Sequence, residues 1–178
     1  MSGPVGGPKN GPADGTAREP AGAPFLVGLI SDTHGLLRPE ALRALEGCSL
    51  IVHAGDVGQP HVLDGLRELA PVVAVRGNCD RDWARDLPLE ATPEVGGRLL
   101  HVLHDLGRLD FSPEAAGVAV VVSGHSHQPR IRRQGGVLYV NPGSAGPRRF
   151  ELPVSVAKLV LDGATAPARA EIVELDVP

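Results

Sequence analysis

The sequence predicts an α/β fold in which two mixed β-sheets pack face to face with helices on the outside, a four-layer sandwich. Three observations predict it. The first half alternates short apolar runs with segments of helical spacing, the signature of βαβ units and parallel pairing. The second half is a series of extended segments separated by Gly, Pro and Asp turns, which predicts antiparallel strands. No linker interrupts residues 24–178, so one domain must hold both patterns, and two packed sheets satisfy both.

The elements follow in chain order. Residues 1–23 are dominated by Gly, Pro and Ala without periodicity and are expected to form a disordered tail. They lack an apolar or basic amphipathic pattern, so no signal or transit peptide is expected. A central strand is predicted over 25–30, ending at the polar loop Ser31-Asp32-Thr33-His34-Gly35. Pro39 suits the first turn of a helix carrying Ala41, Leu42, Ala44 and Leu45 and closed by Gly47. A second strand (49–53) ends at Ala54-Gly55-Asp56, a helix follows over 60–69, and a third strand (72–75) ends at Arg76-Gly77-Asn78-Cys79-Asp80. Beyond it come a strand over 99–103 ending at His104-Asp105, a short helix over 113–116, and the β-branched run Val118 to Val122. That run stops at Gly124-His125-Ser126-His127. Extended segments are then expected near 129–133, 137–141, 153–161 and 169–175, with turns at Gly135-Gly136 and Asp162-Gly163.

Composition bounds the function. With 178 residues and 42% hydrophobic content the chain can bury a sizeable core, but only 3% aromatics leave Val, Leu, Ala and Ile to fill it. A net charge of −4 argues against coating a nucleic acid. No apolar run approaches the roughly 20 residues needed to span a bilayer. Two cysteines, Cys48 and Cys79, form no disulfide framework, so a cytoplasmic setting is expected. Nothing in the composition decides oligomeric state, and a homo-oligomer stays open.

Polar residues gather at the predicted strand ends: Asp32, His34, Asp56, Asn78, His104, His125 and His127. Parallel strands would bring these junctions to one edge of the sheet. Carboxylate, imidazole and carboxamide donors suit Mn, Fe, Zn, Ni or Co better than Ca or a thiolate-bound structural Zn. Seven donors exceed the needs of one ion and match two ions sharing a carboxylate. Such pairs, about 3.5–4 Å apart, serve in-line phosphoryl displacement.

The ordered set Asp32-x-His34, Gly55-Asp56, Gly77-Asn78-Cys79-Asp80, His104 and Gly124-His125-x-His127 resembles the calcineurin-like metallophosphoesterases. With the chain's size and the Asn141-Pro142-Gly143-Ser144 turn, it is similar to the small YfcE-type phosphodiesterases over about residues 25–160. The resemblance implies that Asp32, His34 and His127 hold one metal, that Asn78, His104 and His125 hold a second, and that Asp56 bridges them. Two divalent ions are implied, Mn²⁺ first and Zn²⁺, Fe²⁺ or Ni²⁺ as alternatives. A hydroxide between them would attack a small-molecule phosphodiester.

Two departures bear on the chemistry. Many relatives carry Gly-Asn-His where this chain has Cys79, and a thiol is a poor general acid beside cations. Cys79 is therefore read as a small buried residue. The proton for the leaving group is assigned to water or to Asp80, with Asn78 and Asp80 as the catalytic candidates. That favours diesters with activated leaving groups, or weak activity. The second departure is Asp105, where relatives usually have Gly.

Other polar residues receive structural readings. His53 and His101 are expected to pack or support, and His61 to sit on a helix surface. Arg130, Arg132, Arg133, Arg148 and Arg149 fall within 20 residues. Arg130 and Arg132 read as the solvated face of a hairpin, and Arg148 as a phosphate-binding residue. The rival reading is a protein-binding scaffold of the same fold, similar to the retromer subunit, which would expose apolar patches. A nuclease fits poorly with an acidic chain. For the tail the expectation is direct: removing residues 1–23 leaves melting temperature and phosphodiester turnover unchanged, and a drop in either refutes it.

Overall fold

The computed structural model describes residues 24–177, so the tail expected over 1–23 lies outside the described residues. The start of the domain is the βαβαβ run that the apolar periodicity predicts. It comprises β1 (Phe25–Ile30), α1 (Pro39–Leu45), β2 (Leu50–His53), α2 (Pro60–Arg67) and β3 (Val72–Ala74). Both helices begin at a proline, whose fixed φ suits the first turn and whose missing N–H has no intrahelical partner there. The second half adds β4 (Glu90–Ala91), β5 (Glu94–Val95), β6 (Arg98–Leu103), β7 (Val118–Val122), β8 (Arg130–Gln134), β9 (Val137–Asn141), β10 (Ser155–Leu161) and β11 (Arg169–Glu174).

Differences from expectation are local. The helix expected over 113–116 is a single turn, closed by the Val118 N–H on the Pro113 carbonyl and ended by Gly117 at φ 73°. Helix α2 stops at Arg67, two residues early, as Leu69 tightens onto the Leu66 carbonyl. The two-residue strands β4 and β5 and the 3₁₀ turns at Asp82–Ala84 and Leu106–Arg108 are too short for periodicity to register.

The first sheet has the order β11-β10-β1-β2-β3, and the second runs β4-β6-β7-β9-β8 with β5 also on β6. Strands β1, β2 and β3 are mutually parallel, while β10 and β11 add antiparallel. The second sheet is less antiparallel than expected, because β6, β7 and β9 form a second parallel trio edged by the β8–β9 hairpin. Gly135 and Gly136, both at positive φ, close that hairpin, the left-handed pair that a two-residue turn requires.

Alternation sorts the side chains into layers. Val27 and Leu29 of β1, Val52 of β2, Leu100 and Val102 of β6, Val120 and Val122 of β7 and Leu159 of β10 meet between the sheets. The opposite parity, Ile30, Ile51 and Val156, faces Ala41, Leu45, Val62, Leu63 and Leu66 of the helices. The outer face of the second sheet carries Leu103, Val121 and Val137 under Leu106 and Leu109. The fourth layer is thus a 3₁₀ turn and its following loop. No helix among the described residues is long and apolar enough to cross a membrane.

The sheets matter for function because both parallel trios end on the same side. Their loops are stitched by backbone bonds, Asp32 N–H to Gly55 O (3.0 Å), His34 N–H to Asp56 O (3.0 Å) and Gly124 N–H to His104 O (3.0 Å). His53, at the end of β2 and fully buried, ties the first two loops together. Its Nδ1 accepts the Gly55 N–H (3.2 Å), so in the neutral ring Nε2 carries the proton and donates to Thr33 Oγ1 (2.9 Å). Thr33 Oγ1 passes its own proton to the Val57 carbonyl (2.9 Å). Protonating His53 would destroy the acceptor, and burial, reinforced by nearby His104, pushes its pKa down to about 3.

A group that stays neutral when folded but takes a proton when unfolded makes stability fall as pH drops from the ordinary His range toward about 3. This one residue should contribute a slope approaching about 1.4 kcal/mol per pH unit below roughly pH 6. Denaturant midpoints measured in chelator between pH 7 and 4.5 should fall more steeply for wild type than for His53→Gln, which keeps an acceptor and a donor. Equal slopes would show that His53 does not carry this linkage.

Candidate metal centre

Every donor in the site is placed by the end of a parallel strand. Asp32 and His34 follow β1, Asp56 follows β2, Asn78 follows β3, His104 follows β6, and His125 and His127 follow β7. The seven donors expected as ligands are brought together in two groups that share Asp56.

In the first group, His127 Nε2 lies 3.2 Å from Asp32 Oδ1. Asp32, His34 and His127 offer ligand atoms that all fall within 4.8 Å of one another. Asp32 is fully buried, and its Oδ2 is taken by the Ser31 hydroxyl (2.6 Å) and the His125 N–H (3.1 Å). Its Oδ1 has no hydrogen-bond partner, and neither has His34 Nε2. Burial pushes the Asp32 carboxyl above its ordinary pKa, against the Ser31 bond and the field of the neighbouring histidines. Burial likewise lowers His127, and Arg149 and His34 lower it further against the pull of Asp32. A buried carboxylate oxygen without a hydrogen bond, beside imidazole nitrogens, has the donor chemistry of a cation site.

The second group makes the point more sharply. His104 Nδ1 sits 2.8 Å from the Ala54 carbonyl, which only an N–H can satisfy, so the neutral ring turns its Nε2 lone pair inward. That nitrogen meets Asn78 Oδ1 at 3.0 Å and Asp56 Oδ2 at 3.4 Å. His125 Nδ1 approaches the same Asn78 oxygen at 3.0 Å. Acceptors therefore face acceptors around one point. Without a metal, a proton on His104 must fill the gap. Burial opposes that proton, but Asp56 and the Ala54 carbonyl outweigh it and raise the His104 pKa. Asp56, although buried, is held well below the usual carboxylate range by His104 and by the Cys79 N–H on its Oδ1 (2.7 Å). Its Oδ2 also stands 3.9 Å from His34 Nε2, so one carboxylate oxygen addresses both groups. The histidines pair accordingly, His34 with His127 (centroids 5.4 Å) and His104 with His125 (5.2 Å). The donor set fits divalent metal ions.

Backbone geometry marks the same residues. Asp32, His34, Asp56, His125 and His127 all have positive φ, and Phe150 alone joins them among non-glycine residues described. Side chains pay steric strain there, and such strain clusters where function over-determines conformation. Two glycines permit the close approach. A Cβ on Gly124 would overlap Ser31 Oγ and the Asp32 carboxylate, and one on Gly77 would overlap Asp56. Asn141, read from sequence as a turn residue, is a buttress: its Nδ2 donates to Gly124 O (2.7 Å) and Ser126 Oγ (3.0 Å). Ser144 Oγ donates to the Asp32 carbonyl (3.0 Å) from the other side.

Three expectations need correcting. Asp80, the expected proton source, accepts the Gly58 N–H on Oδ1 and the Gly77 N–H on Oδ2, each at 2.8 Å. Both oxygens accept backbone N–H groups, so the carboxylate braces two loops. Arg148 donates to the Val177 carbonyl (3.2 Å), and it is Arg149 that lines the cavity of about 270 Å³ over His34, Asn78 and His127. Cys79 is exposed and lines the same cavity, whereas a buried residue was expected. Phe150, 92% exposed, borders it too. Arg149 was visible in the arginine run; no periodicity or motif pointed to Phe150. His101 is removed from the metal groups, bonded to Thr92 (2.9 Å) and packed edge-on against Phe111.

Comparison with known proteins agrees with this geometry. The calcineurin-like phosphoesterase superfamily domain matches residues 25–164. A probable metallophosphoesterase of Methanothermobacter thermautotrophicus is 36% identical over 166 residues, 86% of this chain and 95% of that protein. Phosphodiesterase YfcE of Escherichia coli K12 is 32% identical over 158 residues, 72% of this chain and 84% of that one. The crystal structure of Vps29 from Chaetomium thermophilum superposes with a TM-score of 0.67 at 22% identity, covering 86% of this chain and all of the other, a likeness of fold alone. The matched stretch runs from the first strand of the parallel trio through the last strand paired to it, and the chain belongs to the calcineurin-like phosphoesterase superfamily.

Proposed function

We propose that this chain is a phosphodiesterase acting on small-molecule phosphodiesters, with Asp32, His34 and His127 at one divalent ion, Asn78, His104 and His125 at a second, and Asp56 between them. The observation that carries the reading is the convergence of His104 Nε2, Asn78 Oδ1 and Asp56 Oδ2 at contacts of 3.0 and 3.4 Å, three acceptors once the His104 ring is neutral. Ions bound there would supply Lewis acidity for the phosphate oxygens and an activated water for in-line attack on phosphorus. Imidazole and oxygen donors suit Mn²⁺ first, with Fe²⁺, Zn²⁺ and Ni²⁺ as alternatives.

The protein's own groups do the rest. Asp32 and Asp56 supply the negative charge that holds cations in place, and the His104–Ala54 bond keeps one lone pair pointed inward. Arg149, at the mouth of the cavity, is placed to take a phosphate oxygen. Burial, then the Asp56 and Asp80 carboxylates, raise the Cys79 pKa, so this thiol is no ready acid. With Asp80 engaged by backbone, the leaving alkoxide takes its proton from solvent, which favours esters of acidic alcohols and phenols. Two free cysteines fit the reducing cytoplasm.

Metal analysis with hydrolysis of a bis-aryl phosphodiester in added Mn²⁺ tests the reading. Wild type should bind about two ions per chain and turn over; His125→Ala should keep about one and lose about a hundredfold or more in kcat/KM. Full metal occupancy without turnover would replace the enzyme by a scaffold of the same fold. The brace assigned to Asp80 has its own check. Asp80→Asn should cost about 1–2 kcal/mol of stability by leaving one backbone N–H short of its acceptor, while the alkaline limb of the pH–rate profile survives. Loss of that limb with unchanged stability would return Asp80 to the role of proton donor.

A further inference from the structure

A second cavity, of about 410 Å³, opens on the outer face of the second sheet and reaches the metal groups through His125 and Ser126. Its floor is the β8–β9 hairpin. Register pairs Arg132 with Tyr139 and Arg130 with Asn141. Leu138 and Val140 of β9 face the core between the sheets, so Tyr139, Asn141 and the two arginines share the outer face. Arg133, turned the other way, is committed to the carbonyls of Gly136 (3.1 Å) and Ala168 (2.6 Å).

The two outward arginines are differently placed. Arg132 stacks on Tyr139, its guanidinium carbon 4.2 Å above the ring, which holds it toward the cavity, with one amino group on Gln134 Oε1. The Arg130 side chain has no hydrogen bond or ion pair among the described residues. Arg43, Arg67, Arg85 and Arg169 all have carboxylate partners, in a chain of net charge −4, whereas Arg130 and Arg132 have none among the described residues. Asp105 lines the far wall, its carboxylate accepting the Gly107 N–H (2.9 Å). It repels an anion from that wall and leaves the arginine floor as the seat.

We infer that this cavity is a subsite for a second oxyanion, a phosphate or carboxylate carried on one ester arm of the substrate and gripped by Arg130 and Arg132. The inference rests on the phosphodiesterase reading and narrows it: the substrate is a diester with an additional negative charge, its reactive phosphorus at the metal groups and its charged arm along β8.

Three diesters sharing one aryl leaving group test it, with the other arm neutral, carboxylate-bearing or phosphate-bearing. Wild type with Mn²⁺ should prefer at least one charged arm by about tenfold or more in kcat/KM, through KM, the scale of charge-assisted contacts to an oxyanion. Arg130→Gln with Arg132→Gln should abolish that ratio, and the corresponding Lys pair should restore part of it. Preference for phosphate alone or for both arms identifies the ligand and supports the subsite. A wild-type ratio near one, or a ratio unchanged by the Gln pair, overturns it. If wild type cleaves none of the three, the phosphodiesterase reading fails and the cavity is judged by calorimetric titration with inorganic pyrophosphate in chelator. Binding weakened about tenfold or more in the Gln pair sustains the anion site, and no binding, or equal binding, removes it.

Discussion

One carboxylate organises this molecule. Asp56 follows the middle parallel strand of the first sheet, and its two oxygens are used differently. Oδ1 is fixed by the Cys79 N–H, and Oδ2 is left 3.4 Å from His104 and 3.9 Å from His34. Tethering one oxygen to backbone aims the other without consuming it. The charge stays on Asp56 because His104 and that N–H hold its pKa down despite burial. The donors come from the ends of five strands, so the aim of Oδ2 depends on how β1, β2, β3, β6 and β7 are mutually placed. Without a metal a proton on His104 balances this anion, and a bound cation would take that proton's place.

The two sheets supply that support. A βαβ unit delivers its strand ends to one edge, and here two parallel trios, one per sheet, deliver theirs to the same place. The apolar layer between the sheets, Val27, Leu29 and Val52 against Leu100, Val120 and Val122, sets the spacing across which Asp32 meets His127 and Asp56 meets His104. Interiors are close-packed, so a small change in that layer would move ligands relative to one another. The loops are locked at a finer level by groups that never touch a metal. His53 holds Thr33 to Gly55, Asp80 holds Gly58 to Gly77, and Asn141 holds Gly124 to Ser126. Five candidate ligands at positive φ are held there by these bonds.

What could be read from sequence follows physical lines. The strands β1, β2, β7 and β9 declared themselves because buried β-branched runs and turn residues act locally, and the gathering of seven polar residues at one edge because each ends such a run. The helix expected at 113–116 failed for the converse reason: too few residues to carry a period, and a glycine that ended the turn. The parallel direction of β9 was hidden, since pairing direction is a long-range property that the hairpin signal at Gly135-Gly136 does not report. Side-chain roles were least legible where a tertiary partner decided them. Asp80 and Arg148 look functional by position and are spent on backbone groups, while Arg149, Asn141 and Arg130 look ordinary and border or brace the site. An acceptor or donor cannot be read as free until its neighbours are known.

Cys79 ties the chemistry of this site to a single side chain beside the donor set. Its N–H is indispensable to Asp56 whatever its side chain. Its thiol lies with His34 and Asp56 in one cluster of donor atoms within 4.8 Å, open to the cavity where substrate would enter. An imidazole at that place could carry a proton to a departing alkoxide near neutral pH. A thiol with a raised pKa between two carboxylates does so poorly. Water can still serve, but the barrier then depends on how well the alkoxide bears its own charge. On the proposed phosphodiesterase reading, such a site would favour leaving groups that are stable as anions, and selectivity would rest on binding. The arginine floor along β8 is where such binding is available.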